Sequence, residues 1–454
     1  MEQGQGRGRH LFQRIPLMVG KIIANARYVD TWASVPQIDG ATRPVLAGRG
    51  LGGSSRINGN VAYAGPSDRY AQIFGPLGLD FSPILQGLDR SGGHAISRVP
   101  TWGDALTQRF LQYCPKGNDP DRDFYIGAPL HVNTKGGWRY NHFDGYRTPS
   151  SRCRMIRGKV DHLLFNDTGV CGVQVRGGVP IRAQHTILAA GAIGSPVILQ
   201  RSGIGPMDVV KTAGIDVRLD QPHVGAHLKD HANLRIPFAC PGFDTLNQKT
   251  RGARALWEGV KFLTGQGDSI LRGPGASAGV NVAHGDDPFR IQLVHFTQDR
   301  AIVGRKGIVF EKSQSASLGM YALWPHSSGA IHITNHGLRI DPGFLTDARD
   351  QATTQAALNH ARGLITDMGF RTPAIHDDTA FIQQGVYSGY HLIGSNRMAD
   401  DFAHGVVGPD FSVHGIDGIS VCDASVMPDH LSSHSYLPTI AMARMYAQCQ
   451  GWGA

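Results

Sequence analysis

A chain of 454 residues is long enough for two domains, and its 41% hydrophobic and 18% charged residues exclude a disordered polypeptide, while 59 glycines call for many tight turns. The net charge of +8 draws anions toward the surface, but Lys and Arg never form a dense run, which argues against a nucleic-acid partner. The six cysteines are too far apart for a Cys-x-x-Cys pair, so reduced, mostly buried thiols are expected; with neither a signal-peptide core nor the roughly 20 apolar residues that cross a bilayer, cytoplasmic residence follows by elimination.

Residues 1–45 mix glycine, arginine and the short apolar piece Ile15–Ile23, and read as a fragment rather than a domain. Next comes the densest glycine run, Gly48-Arg49-Gly50-Leu51-Gly52-Gly53-Ser54-Ser55-Arg56-Ile57-Asn58-Gly59-Asn60-Val61, with helix-compatible sequence around Tyr70–Phe74. Alternation from Lys159 to Val175 predicts a hairpin turning at Asn166-Asp167-Thr168-Gly169. His185–Ala190 reads as a buried strand, Gly191–Gly194 as a turn, and Ser195-Pro196 as the N-cap and first residue of a helix ending at Gly203. The β-rich pieces Arg290–Phe296, Gly307–Phe310, Leu318–Trp324 and Ala330–Thr334 suggest an antiparallel sheet. A helix over Thr346–Met368, a strand at Ile419–Cys422 and a last helix opened by Pro438 complete the pattern.

The segments Gly52-Gly53-Ser54-Ser55-Arg56-Ile57-Asn58-Gly59, Gly191-Ala192-Ile193-Gly194-Ser195-Pro196 with Ser202-Gly203-Ile204-Gly205, Val224-Gly225-Ala226-His227-Leu228-Lys229-Asp230-His231, Tyr390-His391-Leu392-Ile393-Gly394-Ser395-Asn396-Arg397-Met398 and Asp423-Ala424-Ser425-Val426-Met427-Pro428 are spread over nearly the whole chain. In order and spacing they resemble the glucose-methanol-choline (GMC) oxidoreductases. The resemblance implies an α/β fold (α+β overall). In it a discontinuous, Rossmann-like FAD-binding domain (1–62, 150–232, 385–454) carries a substrate-binding domain (63–149, 233–384) built on an antiparallel sheet flanked by helices. Members of the family begin with a strand, a Gly-x-Gly-x-x-Gly turn and a helix for the ADP half of FAD; no counterpart precedes Met1-Glu2-Gln3-Gly4 here, so an N-terminally truncated domain is expected, with Glu2 at the adenosine ribose. Gly48-x-Gly50-x-x-Gly53 matches the dinucleotide fingerprint literally, but the amphipathic helix that the fingerprint needs does not follow it.

The same resemblance implies the chemistry. An alcohol is oxidised to a carbonyl, with His391 as general base and His434 as its hydrogen-bonding partner on the substrate oxygen, and imidazole is the side chain that needs least tuning for that work. FAD is expected against Glu2, Gly52, Gly53, Ser54, Asn58, Gly59, Asn60, Val61, Val160, Ala190, Gly191, Asp423, Ala424, Ser435, Pro438 and Thr439. The free N–H groups of a helix opened by Pro438-Thr439 would stabilise the reduced ring. Ile57 stands where some members attach FAD through a histidine, so noncovalent FAD is expected. Tyr63, Phe296, Trp324 and Tyr436 are candidate substrate contacts. His223, His227 and His231 recur every four residues, but Gly225 interrupts them and no His-Glu-x-x-His is present, so no metal is expected. Two alternatives stay open: a lyase on the same fold, such as a hydroxynitrile lyase, and a truncated relative unable to hold FAD. The identity of the alcohol, the electron acceptor (oxygen or another) and the oligomeric state are not legible in the sequence.

Overall fold

The computed structural model describes residues 1–4, 11–88, 90–91, 94–95, 98–100, 104–117, 124–140, 153–265, 268–298 and 307–452. Near the start, β1 (Val29–Ala33) and β2 (Pro44–Gly48) form an antiparallel hairpin, and α1 (Ser67–Phe74) follows the glycine run. After the two-residue β3 (Ala128–Pro129), β4 (Val160–Asn166) and β5 (Gly169–Val175) make the expected hairpin. The strand β6 (Thr186–Leu188) then leads into α2 (Gly191–Arg201).

That helix starts four residues before the Ser195-Pro196 signal, which leaves Pro196 inside it. Proline has no N–H to give to the carbonyl four residues back. The Ser395 hydroxyl donates to that carbonyl, Ala192 O, at 2.5 Å, so the helix passes through the proline with its acceptor satisfied. Ser195 is no cap: its Oγ accepts from Ala190 N and donates to Asp423 at 2.5 Å.

The second half contributes β7 (Ala232–Ala239), β8 (Ala276–Val282), β9 (Phe289–Val294) and β10 (Ser315–Ala322). The hairpin of β11 (Ala330–Thr334) and β12 (Gly337–Asp341), the helix α3 (Ala348–Asp367), β13 (Tyr387–Ser388), β14 (Ile419–Val421) and α4 (Tyr436–Cys449) follow. The large sheet has the order β13-β7-β10-β9-β8-β3 and its pairs are antiparallel. Two sequence expectations shift here. Among the described residues Ala330–Thr334 pairs only with its own hairpin partner, and Gly307–Phe310 contributes an isolated bridge, Gln298 with Phe310, instead of a strand.

One apolar core joins β6, β14, α1 and α4, with Leu188, Val421, Phe74 and Met442 buried in it. Another lies between the large sheet and α3, where Leu234, Ile291, Leu318, Leu358 and Ile365 meet. The parallel pair β6–β14 carries Cys422, Asp423 and Ala424 out to the N-terminal end of α2. The thiols are less buried than expected: Cys114 and Cys240 are buried, Cys171 and Cys422 half-buried, Cys153 and Cys449 exposed.

Candidate active site

Four histidines meet where the loops after β13 and β14 reach the edge of the large sheet. His391 lies 5.0 Å from His434 between ring centroids, and His231 stacks on His430 at 3.9 Å. The hydrogen bonds assign their tautomers. Leu323 O only accepts, so His231 must donate to it through Nε2–H, at 3.1 Å. The Nδ1 of His231 is then a lone pair, and His391 Nδ1–H donates to it at 2.8 Å. His391 therefore keeps its free lone pair on Nε2. Burial holds both rings well below the usual imidazole range, helped for His391 by His231 and Arg290, and for His434 by His391, Arg290 and His231. Both are neutral near pH 7, as a proton acceptor has to be.

The backbone that presents His391 is strained and clamped. Tyr390 has φ of 61°, a left-handed conformation unusual for a bulky residue. Its N–H donates to Ser388 Oγ at 2.9 Å, Ser388 donates in turn to Asp230, and the other Asp230 oxygen accepts from His391 N at 2.8 Å. Burial pushes the Asp230 carboxyl up to about 7 against these hydrogen bonds. Gly389 permits the close packing, since a Cβ there would stand 3.0 Å from the Cβ of His231 and 3.2 Å from Nδ1 of His391. The Tyr321 ring lies 4.6 Å from His231 and its hydroxyl donates to Ser433 O at 2.9 Å, next to His434.

The residues expected to face a cofactor fall in three groups. Gly52, Gly53 and Ser54 form a turn in which both glycines have positive φ and Gly48 N donates to Ser54 Oγ at 3.0 Å. Asn58 to Val61 are gripped by Arg139, which donates to Asn58 O at 2.6 Å, to Asn58 Oδ1 at 2.8 Å and to Asn60 Oδ1, holding Asn60 at φ of 60°. This segment runs on into Tyr63, whose carbonyl accepts from Ser432 Oγ at 3.2 Å, two residues before His434. Ala190, Gly191, Asp423 and Ala424 form the second group. One Asp423 oxygen accepts from Gly191 N at 2.9 Å and the other from Ser425 N at 2.8 Å, so its carboxylate ties β14 to α2. Ser435, Pro438 and Thr439 lie at the start of α4, which opens at Tyr436, two residues before Pro438. Thr439 N already donates to Ser435 O, so the helix-end N–H groups belong to Tyr436 and Leu437, not to Pro438-Thr439.

Glu2 and Val160 lie farther along. Glu2 Oε1 accepts from Gly4 N at 2.7 Å and Gly50 N at 3.0 Å, and its backbone bridges to Arg157. Val160, in β4, packs at the margin of the first core. A Cβ built on Gly53 or Gly191 meets no atom within 4 Å, so the chain leaves open room beside two positive-φ backbone segments. That room suits an elongated cofactor with phosphates. Ile57 is buried among Ile22, Tyr28 and Val29.

Of the candidate substrate contacts, Tyr63 donates to Pro129 O and lies 5.4 Å from the Arg290 guanidinium. Phe296 packs on Phe310 in a third apolar cluster, Trp324 stacks on Phe124 under Arg69, and Tyr436 is half-buried at the first turn of α4. The histidine array divides. His223 and His227 contact each other at 3.0 Å in a loop, whereas His231 turns to His391 and His430. Among the described residues the only His/Asp group at metal-ligand distances is the exposed Asp400, Asp401 and His404. Sequence reasoning gave no role to Asp230, His231, Arg139, Tyr321 or Arg290. The Asp230-His231 pair was within the motif already singled out; the other three carry no local signal.

Residues 152–233 and 325–443 match the models of the GMC oxidoreductase family. The chain belongs to that family. This GMC oxidoreductase is 27% identical to the oxygen-dependent choline dehydrogenase of Stenotrophomonas maltophilia (strain K279a), over 88% of this chain and 80% of that one. It is also 27% identical to the mitochondrial choline dehydrogenase of Homo sapiens, over 90% and 76%. Its fold matches pyridoxine 4-oxidase from Mesorbium loti with a TM-score of 0.83 at 21% identity, covering 100% of this chain and 94% of that one. Formate oxidase of Aspergillus oryzae RIB40 gives 0.84 at 16% identity, covering 99% and 92%. No helix among the described residues of this GMC oxidoreductase is long and apolar enough to cross a membrane.

Proposed function

We propose that this GMC oxidoreductase oxidises the CH–OH group of a small-molecule alcohol to a carbonyl with noncovalently held FAD. The observation that carries the reading is the tautomer chain Leu323 O, His231, His391, which leaves a neutral imidazole lone pair at His391 Nε2 beside His434. His391 Nε2 takes the hydroxyl proton, and His434 hydrogen-bonds the substrate oxygen and orients the carbinol. As His391 becomes cationic its Nδ1–H bond to His231 strengthens, because that acceptor stays neutral. Asp230 and Ser388 hold the turn so that the lone pair does not swing away.

A flavin supplies the acceptor for the carbinol hydride. The residues that would hold it are Gly52–Ser54 and Asn58–Val61 with Ala190 and Gly191, with Asp423, Ala424, Ser435, Pro438 and Thr439, and with Glu2 and Val160 toward the adenosine end. Aliphatic Ile57 in its apolar cluster supports noncovalent attachment. The division into a cofactor domain (1–62, 150–232, 385–454) and a substrate domain (63–149, 233–384) belongs to the same proposal.

The test is the visible spectrum of the chain purified with added FAD, followed by anaerobic addition of alcohols. Retention of a flavin band and its bleaching by an alcohol are expected. A flavin that stays oxidised while a cyanohydrin is cleaved would replace the reading with lyase chemistry.

A further inference from the structure

The large sheet has two unlike faces. One face, Leu234, Ile291, Leu293, Leu318 and Met320, is apolar and packs on α3. Because side chains alternate along a strand, the residues between these point to the opposite face. In register across β10, β9 and β8 that face carries the row Tyr321, Arg290, Asn281; the next row, across β7 to β8, is Arg235, Gly319, Gln292, Gly279.

This polar face is short of partners. Asn233 Oδ1, Arg235 Nε, Arg290 Nε and Gln292 Oε1 are buried and have no hydrogen bond. Arg290 is 3% exposed, and among the described residues the one hydrogen bond of its guanidinium goes to the neutral amide of Asn281, at 2.9 Å. Among the described residues the Arg235 guanidinium makes only ring contacts, with Phe296 at 5.1 Å and Tyr387 at 5.5 Å. Among the described residues no carboxylate pairs with either guanidinium. A buried charge left without a counter-charge costs several kcal/mol, so such a group is retained where a ligand supplies the opposite charge.

Arg290 also faces the histidines. It is the cross-strand neighbour of Tyr321, whose ring lies 6.2 Å from His391, and it lies over the Tyr63 ring at 5.4 Å. Its positive charge is among the causes that lower His391, His434 and His231, which fits the same placement. A quaternary ammonium brought to those histidines would meet a buried cation without a shielding carboxylate.

Resting on the alcohol-oxidation reading above, we propose that Arg290, with Arg235 one row along the sheet, is an anion subsite, and that the substrate is an alcohol bearing a carboxylate. The carboxylate is chemically unchanged in the reaction. It seats on the guanidinium and directs the carbinol end toward His391 and His434, so specificity comes from the face of the sheet rather than from the histidine loops. Glycines at 279 and 319 let the Arg290 and Gln292 side chains lie close against the sheet, since a Cβ on Gly279 would stand 2.5 Å from the Arg290 guanidinium and one on Gly319 would stand 3.4 Å from Gln292 Cγ.

The experiment uses the FAD-loaded full chain at fixed ionic strength and two readouts. The first is anaerobic flavin bleaching by 4-(hydroxymethyl)benzoate, benzyl alcohol and choline; the second is calorimetric binding of benzoate, which cannot be oxidised. Bleaching by the carboxylate at least about tenfold more efficient than by benzyl alcohol is expected, with choline poorer still, and benzoate should bind. Arg290→Met should collapse the carboxylate-to-neutral ratio and abolish benzoate binding, and Arg290→Lys should restore part of both, which separates lost charge from lost folding. Equal use of the neutral alcohol, or benzoate binding unchanged in Arg290→Met, overturns the anion subsite while alcohol oxidation stands. Arg290-dependent benzoate binding without bleaching by any alcohol supports the subsite and sinks the redox reading.

Discussion

At His391 the lone pair that matters is set two residues away, by the carbonyl of Leu323 acting through His231. His391→Asn keeps a polar side chain but no basic nitrogen. It is expected to lower the rate of anaerobic flavin reduction by about 10²- to 10⁴-fold with FAD binding retained. His231→Leu removes the acceptor that orients the ring but leaves the basic nitrogen of His391, so a smaller loss, about tenfold, is expected; rates equal to those of His391→Asn would make His231 itself the base. Because His391 stays neutral in the fold, the acid limb of kcat/KM should lie below the ordinary imidazole value of about 6.5. A limb above pH 7 would contradict that. His391 and His434 were legible in the sequence because their surroundings match the family motif. Asp230 and His231 had the letters but no visible role, since their partners lie 158 to 161 residues away.

Among the elements, α2 and its attachment to β14 decide how the glycine-rich backbone is presented. Pro196 inside α2 is tolerated because Ser395 satisfies Ala192 O. Ser395→Ala leaves that buried carbonyl unpaired and should lower stability by about 1–3 kcal/mol, read from urea denaturation. Gly418 has φ of 78°, and a Cβ there would lie 2.4 Å from Val170 O, between the hairpin β4–β5 and β14. Gly418→Ala should cost about 2 kcal/mol or more, and an unchanged denaturation midpoint would mean that this junction relaxes freely. The strand β8 was not anticipated because Ala276-Ser277-Ala278-Gly279-Val280-Asn281-Val282 lacks apolar alternation. Both its faces are buried, one in the apolar core and one on the polar face, so the hydropathy pattern that marks a half-exposed strand never arises.

For the whole molecule, the buried histidines set the response to acid. His231, His391, His430 and His434 have folded-state values well below the ordinary one, and His227 is lowered to about 4 by burial with Arg397, His223 and Lys229. Below about pH 6.5 the unfolded chain binds protons that the folded chain refuses, so stability falls as pH falls, by up to about 1.4 kcal/mol per pH unit for each histidine. Asp230 acts with the opposite sign. With its folded value raised to about 7, it holds a proton that the unfolded chain has lost, and the stability this gives disappears as pH rises from about 4 through 7. These five histidines outweigh one carboxyl, so the melting temperature should drop steadily from pH 6.5 to 5. A flat profile would mean that these rings titrate normally in the fold.

The sequence by itself determined the family and the order of the main elements and singled out His391 and His434, which the fold brings to 5.0 Å, because glycine turns, the hairpin turn and short motifs act over a few neighbouring residues. It also led to a helix start at Ser195 and a helix opened by Pro438, both wrong by a few positions, since local cap signals cannot register a distant Ser395 or the turn that begins at Tyr436. Only the tertiary structure decided the tautomer of His391, the clamp at Asp230 and the burial of the Arg290 guanidinium without a carboxylate among the described residues. Each depends on which groups from distant strands share a buried, low-dielectric space, and there a missing partner costs far more than it does in water.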